Sequence, residues 1–295
     1  MKPRHDIYKR VWDFSVDEGI CLIVATAIVV VRFFPIFIPL FGARAARRGA
    51  WKRRLALVLT ILIALMILGA VLRYWADPVN VVGHLDYQIL FFMCGFAWII
   101  LTITAMPIVG YSVRDDAIER DNPAAVAVAC GAVLGFMLSF AGANIGYGPT
   151  IWTTLLPAML AFGILFLAWL AFEFLTRAAE AVTIDRDIAT GLRVAGLLVS
   201  CGAILGRTVA GDWMGWDALW RDLERFMWPV AGIVMLSVVF NVVAKPTPLR
   251  PSPPVFMMGV VPLLVCIALS AGFILHTGRP AALPPALWRD VRSEK

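Results

Sequence analysis

Charge is what this sequence has least of. Asp, Glu, Lys and Arg make up 16% of its 295 residues, against about 25% in an ordinary soluble domain. No charged residue occurs from Asn122 to Phe172. With 61% hydrophobic residues and a mean hydropathy of +0.83, the chain holds more apolar mass than one water-soluble core can bury. Histidine is nearly as scarce. His5, His84 and His276 lie outside or at the edges of the apolar runs, which argues against bis-histidine haem ligation. Five cysteines (Cys21, Cys94, Cys130, Cys201 and Cys266) stand singly inside apolar runs, without the paired spacing of a zinc or disulfide framework. HExxH, GxSxG and a Gly-rich phosphate loop ahead of a lysine are all missing, so zinc-protease and α/β-hydrolase chemistry lack their residues. No carboxylate falls near the middle of an apolar run, against the usual carboxylate form of proton coupling. The expectation is a non-enzymatic protein with no catalytic, cofactor-binding or metal-binding residues.

What is present is a succession of eight apolar runs: Gly19–Phe41, Leu55–Leu72, Gln88–Gly110, Pro123–Ala143, Ile151–Phe172, Ile188–Gly206, Phe226–Ala244 and Val255–Leu275. About 20 such residues cross about 30 Å of hydrocarbon as a helix. The fold class expected is therefore all-α, a polytopic transmembrane helical bundle. The first run is the weakest. It carries Arg32 near its middle, with Pro35 and Pro39 behind. A central Arg costs about 2.5–3.5 kcal/mol on the insertion scale and each Leu, Ile, Phe or Val returns about 0.3–0.6, so insertion is still favourable. Its flanks, "MKPRHDIYKR" and "ARAARRGAWKRR", are both basic. Either the N-terminal tail lies outside, or this run dips in and returns. A cleavable signal peptide is not expected, because Asp13, Asp17 and Glu18 precede the run and no clean small-residue site follows it.

The formal charge of +6 sits beside the apolar runs, where Lys and Arg set topology rather than grip nucleic acid. Arg44–Arg54 is the strongest inside marker and is expected to meet anionic lipid head groups. Counting from it, the loops at Tyr111–Asn122, Thr176–Asp187 and Lys245–Pro254 fall inside, and those at Trp75–Tyr87, Asn144–Thr150 and Gly211–Glu224 outside. Trp75, Trp152, Trp213, Trp216, Trp220 and Trp228 gather at the outer boundary as an aromatic belt. In "GDWMGWDALWRDLERF", Trp213, Trp216 and Trp220 recur at helical spacing with Leu219 and Leu223, while Asp217, Arg221 and Glu224 fall largely opposite. That pattern predicts a short amphipathic helix lying in the outer interface, as an anchored connector or as a gate or docking surface.

The chain also says nearly the same thing twice. "RDNPAAVAVACGAVLG" (120–135) and "RDIATGLRVAGLLVS" (186–200) align at a shift of 65 residues, so that Asn122 meets Asp187, Gly131 meets Gly196 and Gly135 meets Ser200. Asn122 and Asp187 stand where helix N-caps belong, and Pro123 follows at the first helical position. Small residues then recur: Ala127, Gly131 and Gly135 in one helix; Ala195 or Gly196, Gly202 and Gly206 in the other. Lipid gives helices no hydrophobic reason to associate, so small side chains that let backbones approach supply the packing. The fourth and sixth runs are thus the expected central pair. The repeating unit reads as a helix–loop–helix hairpin used twice in parallel, with its axis along the membrane normal. Of the intramembrane ionisable residues, Glu173 and Arg193 approach the same face, and a Glu173–Arg193 pair is geometrically open, as a gated polar path or as a structural bridge.

At these residues the sequence resembles the YjfL-like family of bacterial inner-membrane proteins, a domain-of-unknown-function family (family 350). "ERDNPAAVAVACGAVLG" matches its first half and "IDRDIATGLRVAGLLVSCGAILG" its second, with Asp187 in place of Asn. The resemblance covers about residues 88–213, between an N-terminal extension (1–87) and a C-terminal part (214–295) holding the Trp-rich helix and two more spans. It implies a multi-pass bundle in the bacterial inner membrane and brings no established reaction; an association of some relatives with ATP-grasp ligases of the glutathionylspermidine type would point to polyamine or envelope chemistry. Two roles follow as expectations. One is an oligomeric bundle for permeation or transport of an ion or small molecule. The other is a structural subunit or assembly factor of a larger membrane complex. The partners expected are the lipid bilayer and either further copies or other membrane subunits.

Overall fold

A computed structural model describes residues 14–41, 50–244, 254–278 and 280. Each apolar run is a helix long and apolar enough to cross a membrane. They are α1 (Val16–Phe41), α2 (Ala50–Tyr74), α3 (Leu85–Ala105), α4 (Pro123–Ala143), α5 (Trp152–Thr176), α7 (Ile188–Thr208), α8 (Trp216–Ala244) and α9 (Val261–Thr277), the last preceded by a π-helical turn, Phe256–Val260. A short helix, α6 (Ala178–Thr183), and a π-helical turn, Val113–Glu119, fill the loops ahead of α7 and α4. The chain is a multi-pass membrane protein.

α1 is continuous through Arg32. At about 1.5 Å per residue its 26 residues span about 39 Å, enough for one crossing. Its first turn lies where α3 and α5 begin: Tyr87 Oη donates to Glu18 (3.1 Å) and Trp152 Nε1 to Asp17 (2.9 Å). α1 therefore runs from the tryptophan-bearing end of the bundle to the basic end and does not turn back. Arg32 itself is exposed.

The Trp-rich stretch is not a separate interfacial helix. Trp216 to Ala244 is one 29-residue helix that carries Pro229 within it. The leucines and tryptophans also part company. Leu219, Leu223 and Phe226 are buried against the bundle, whereas Trp216 and Trp220 are about half exposed. The apolar stripe read as membrane-facing is the start of α8's packing face. Trp213 lies in the turn before it and meets Trp216 edge to face, 5.1 Å between centroids.

α4 and α7 form the centre. In both, 78% of the apolar window is buried, against 11% in α1. They run parallel and touch along a seam of small residues. A Cβ added at Gly131 would strike Ala195; at Gly135, the Leu198 carbonyl; at Gly142, the Gly206 backbone. From the other side, Gly202 abuts the Gly135 backbone and Gly206 the Leu138 carbonyl. Two expected members sit elsewhere. Ala127 is only half-buried, because a step of four residues advances about 400° and drifts off the line of Gly131 and Gly135. Buried Ala124 takes its place, opposite Gly191. Gly196 faces outward from the seam, with Leu263 Cα 2.8 Å from where its Cβ would stand. It admits α9, and Ala195 is the residue turned to α4.

The two helices begin in the same way. Asn122 Oδ1 accepts from the N–H groups of Ala124 (2.9 Å) and Ala125 (3.4 Å). Asp187 accepts from those of Ala189 (3.2 Å) and Thr190 (2.9 Å). Just before each cap stands a residue with positive φ, Asp121 at 54° and Arg186 at 56°. Asn122 also donates through Nδ2 to the Val182 carbonyl (2.6 Å) and is wholly buried. Asn122→Ala removes a cap and leaves that carbonyl unmet. It is expected to cost about 1–2 kcal/mol, read as a lower midpoint in detergent unfolding of the purified protein.

Candidate functional site

The most densely bonded polar group in the membrane interior is at the basic end of α7. Thr190 and Arg193, three residues apart, share one face above the Asp187 cap. Thr190 Oγ1 donates to Asp187 Oδ2 (2.5 Å) and receives Arg193 Nη2 (2.5 Å). The Arg193 guanidinium lies 3.6 Å from Asp187, donates through Nε to Asn241 Oδ1 on α8 (3.2 Å), and donates through Nη1 to the Met258 carbonyl in the π-helical turn before α9. Arg193 and Asn241 are each 1% exposed. A buried guanidinium is tolerable only with its donors and its charge answered, and here three helices answer them.

The expected Glu173–Arg193 pair does not form. Arg193 turns toward α8 and α9. Glu173, at the end of α5, turns to the loop ahead of α4, where Oε2 accepts from Tyr111 Oη (3.0 Å) and Oε1 from the Ala179 N–H (2.8 Å). Both residues lie toward the basic end, but on sides of their helices that the sequence period did not resolve. Tyr111 is buried, its ring stacked on Trp169 at 5.5 Å. Burial, and then the neighbouring Glu173 charge, push its phenol well above the usual tyrosine value.

Three acidic residues of the loop ahead of α4 are turned onto arginines. Asp121 makes a bidentate pair with Arg53 of α2, Asp116 meets Arg120 (3.2 Å) and Glu119 meets Arg114 (3.0 Å). Arg186 Nη2 donates to the Arg120 carbonyl (3.1 Å), tying the two loops together. Of the basic stretch Arg44–Arg54 expected on lipid, residues 44–49 lie outside the described residues, and Arg53 is committed to Asp121. Asn241 is not among the residues that the sequence motifs single out. Its signal was available: a lone amide in the apolar "SVVFNVVA".

At the tryptophan end the bundle opens. α2 and α9 stand apart over the α4–α7 seam and leave a groove of about 970 Å³. Ile67, Val71 and Leu275 are among its walls, Leu138 and Ala203 its floor, and Arg207 stands at its rim. Arg207 donates through Nε and Nη2 to the Gly278 carbonyl (3.1 and 3.0 Å) and lies over the Phe226 ring at 5.5 Å. Asp212, also at the rim, accepts from the Tyr147 N–H (2.6 Å).

Residues 81–209 match the family model described as Domain of Unknown Function (DUF350). No curated protein and no solved structure matches the chain. The matched stretch runs from just before α3 to the end of α7, so the seam lies inside it, while Arg53, Asn241 and Met258 come from helices outside it.

Proposed function

With residues 81–209 belonging to the DUF350 family, whose description carries no activity, we propose from the geometry that this is a non-enzymatic bundle of the bacterial inner membrane. It takes up an anionic amphiphile of phospholipid type from the bilayer. The groove carries the reading. It lies among membrane-spanning helices, its walls are apolar, and at that depth hydrocarbon is the matching occupant. The Arg207 cation at the rim suits a phosphate head group at the level where the tryptophans mark the interface. Handling at the perimeter also agrees with the centre, where α4 and α7 meet backbone to backbone and leave no axial path between them.

The basic-end network supports a bracing role. Its donors and acceptors are spent within the chain, and its partners from α2, α8 and α9 fasten those helices to the family unit. We further infer that the unit arose by duplication. α4 and α7 are both 21 residues long, begin 65 positions apart, and share their cap and the positive-φ residue before it. Their common axis then runs along the membrane normal.

Native mass spectrometry of the purified protein in nanodiscs tests the amphiphile reading. The wild type is expected to retain phospholipid through gentle activation. Ala203→Phe, which fills the floor from a half-buried position, is expected to lose it, and Arg207→Gln to lose preference for anionic over zwitterionic lipid. Equal retention by all three removes the groove as a binding site and leaves the structural-subunit role.

A further inference from the structure

α9 is strung between two arginines of α7. At its inner end Arg193 donates to the Met258 carbonyl, in the π-helical turn that precedes the helix. At its outer end Arg207 donates through Nε and Nη2 to the Gly278 carbonyl (3.1 and 3.0 Å), just past the last helical residue. The two arginines stand about four helical turns apart on α7.

The two halves of α9 are held differently. The inner half is in backbone contact with α7: a Cβ at Gly259 would stand 2.8 Å from Ala189 Cα, and one at Gly196 would stand 2.8 Å from Leu263 Cα. The outer half has no such fit. A Cβ at Gly272 meets nothing within 4 Å, Leu275 is 81% exposed, and Ile274 and Leu275 form a wall of the groove. Arg207 ties this half down, together with the ring it lies over, Phe226, which meets Phe273 edge to face at 5.4 Å.

Ser200 is an independent sign that this arrangement of α9 is held against a cost. Buried Thr102, Ser139, Thr208 and Ser270 turn their hydroxyls onto a carbonyl of their own helix. Ser200, one turn beyond Gly196 and 0% exposed, has no hydrogen-bond partner. A buried hydroxyl left unmet favours any state that lets a partner in.

We propose that the Arg207–Gly278 clasp is a latch on the groove, released by a lipid-borne phosphate. The proposal rests on the amphiphile reading of the groove and adds how the groove is opened. A phosphate accepts the two guanidinium N–H groups as an anion, and outbids the neutral Gly278 carbonyl for them. The outer half of α9 then swings outward on its packed base, with the π-helical turn as the hinge. The phosphate shifts the balance because it gains Arg207 only once the clasp is undone.

The test is a pair of distances across the molecule, measured by pulsed electron resonance. The spin labels are carried on genetically encoded p-acetylphenylalanine, which leaves the native cysteines untouched. One pair replaces Tyr74 and His276 at the outer end; the other replaces Trp51 and Phe256 at the inner end. All four residues are exposed. In dodecyl maltoside micelles a single short outer distance is expected. Titrating in phosphatidylglycerol should add a population longer by several ångström, with the inner distance unchanged. Diacylglycerol, which brings the chains without the phosphate, should not. Arg207→Gln is expected to show the longer population in maltoside alone. Ser200→Ala, which relieves the unmet hydroxyl of the shut state, should lower that population about fivefold at equal lipid. One outer distance in wild type with and without phosphatidylglycerol overturns the latch; if the protein still retains phospholipid in the mass spectrometer, the groove reading stands without it. Arg207→Gln that stays shut in maltoside overturns the clasp as the restraint. Equal widening by diacylglycerol or by inorganic phosphate overturns the lipid-borne phosphate as the trigger, and an inner distance that moves with the outer one overturns the hinge.

Discussion

Gly135→Ala is expected to destabilise the protein, whereas the same substitution at Gly163 stabilises it. The two glycines lie inside transmembrane helices, and the chemical change is one methyl group. At Gly163 a Cβ meets nothing within 4 Å, so only the helix preference for Ala acts, worth up to about 1 kcal/mol. At Gly135 the methyl falls onto the Leu198 carbonyl and the peptide that follows it. Backbone has no rotamer to swing aside. α7 must move away, and the contacts along the rest of the seam loosen together. Overpacking of a filled interior costs about 1–3 kcal/mol, and a backbone obstacle belongs at the upper end. Unfolding in graded SDS, followed by tryptophan fluorescence, measures both. Equal shifts for the two variants would mean that the seam is not a close contact.

The second large effect concerns Arg193. Arg193→Met leaves Asp187, Asn241 and the Met258 carbonyl facing a thioether. Removing one partner of a buried charged network costs about 3–5 kcal/mol, because the remaining groups stay buried without answer. The informative experiment is a pair of double-mutant cycles on the same unfolding assay. Arg193→Met with Asp187→Asn should show coupling of about 1–3 kcal/mol. Arg193→Met with Glu173→Gln should add within about 0.5 kcal/mol. The reverse result would place Glu173, not Asp187, beside the guanidinium.

The sequence disclosed most of the architecture for a physical reason. In a membrane, hydrophobic length alone marks a helix, and Pro123–Ala143 emerged with the same bounds as α4. The caps at Asn122 and Asp187 were equally legible, since capping is decided within a few residues. What failed depended on helix rotation. Spacing assigns Ala127, Gly196 and the side chain of Arg193 to a face, and an error of about 40° sends a residue to a different neighbour. Spacing merges the leucines and tryptophans of α8 into one stripe for the same reason. The long-range choice of Arg53 for Asp121, or of Asn241 for Arg193, has no local signature. It rests on which helices the fold brings together.

The separation of α4 and α7 along the chain has a consequence for biogenesis. Ribosomes add about 5–20 residues per second, so the 65 positions between the two helix starts correspond to roughly 3–13 s of synthesis. Throughout that interval α4 waits in the bilayer with its groove of missing side chains bare to acyl chains, which are too irregular to fill it. Its mate arrives only after α5 has crossed in the opposite sense. The nascent protein thus passes through a state whose stickiest surface is turned outward, and that is where an insertase or a membrane chaperone would have something to hold.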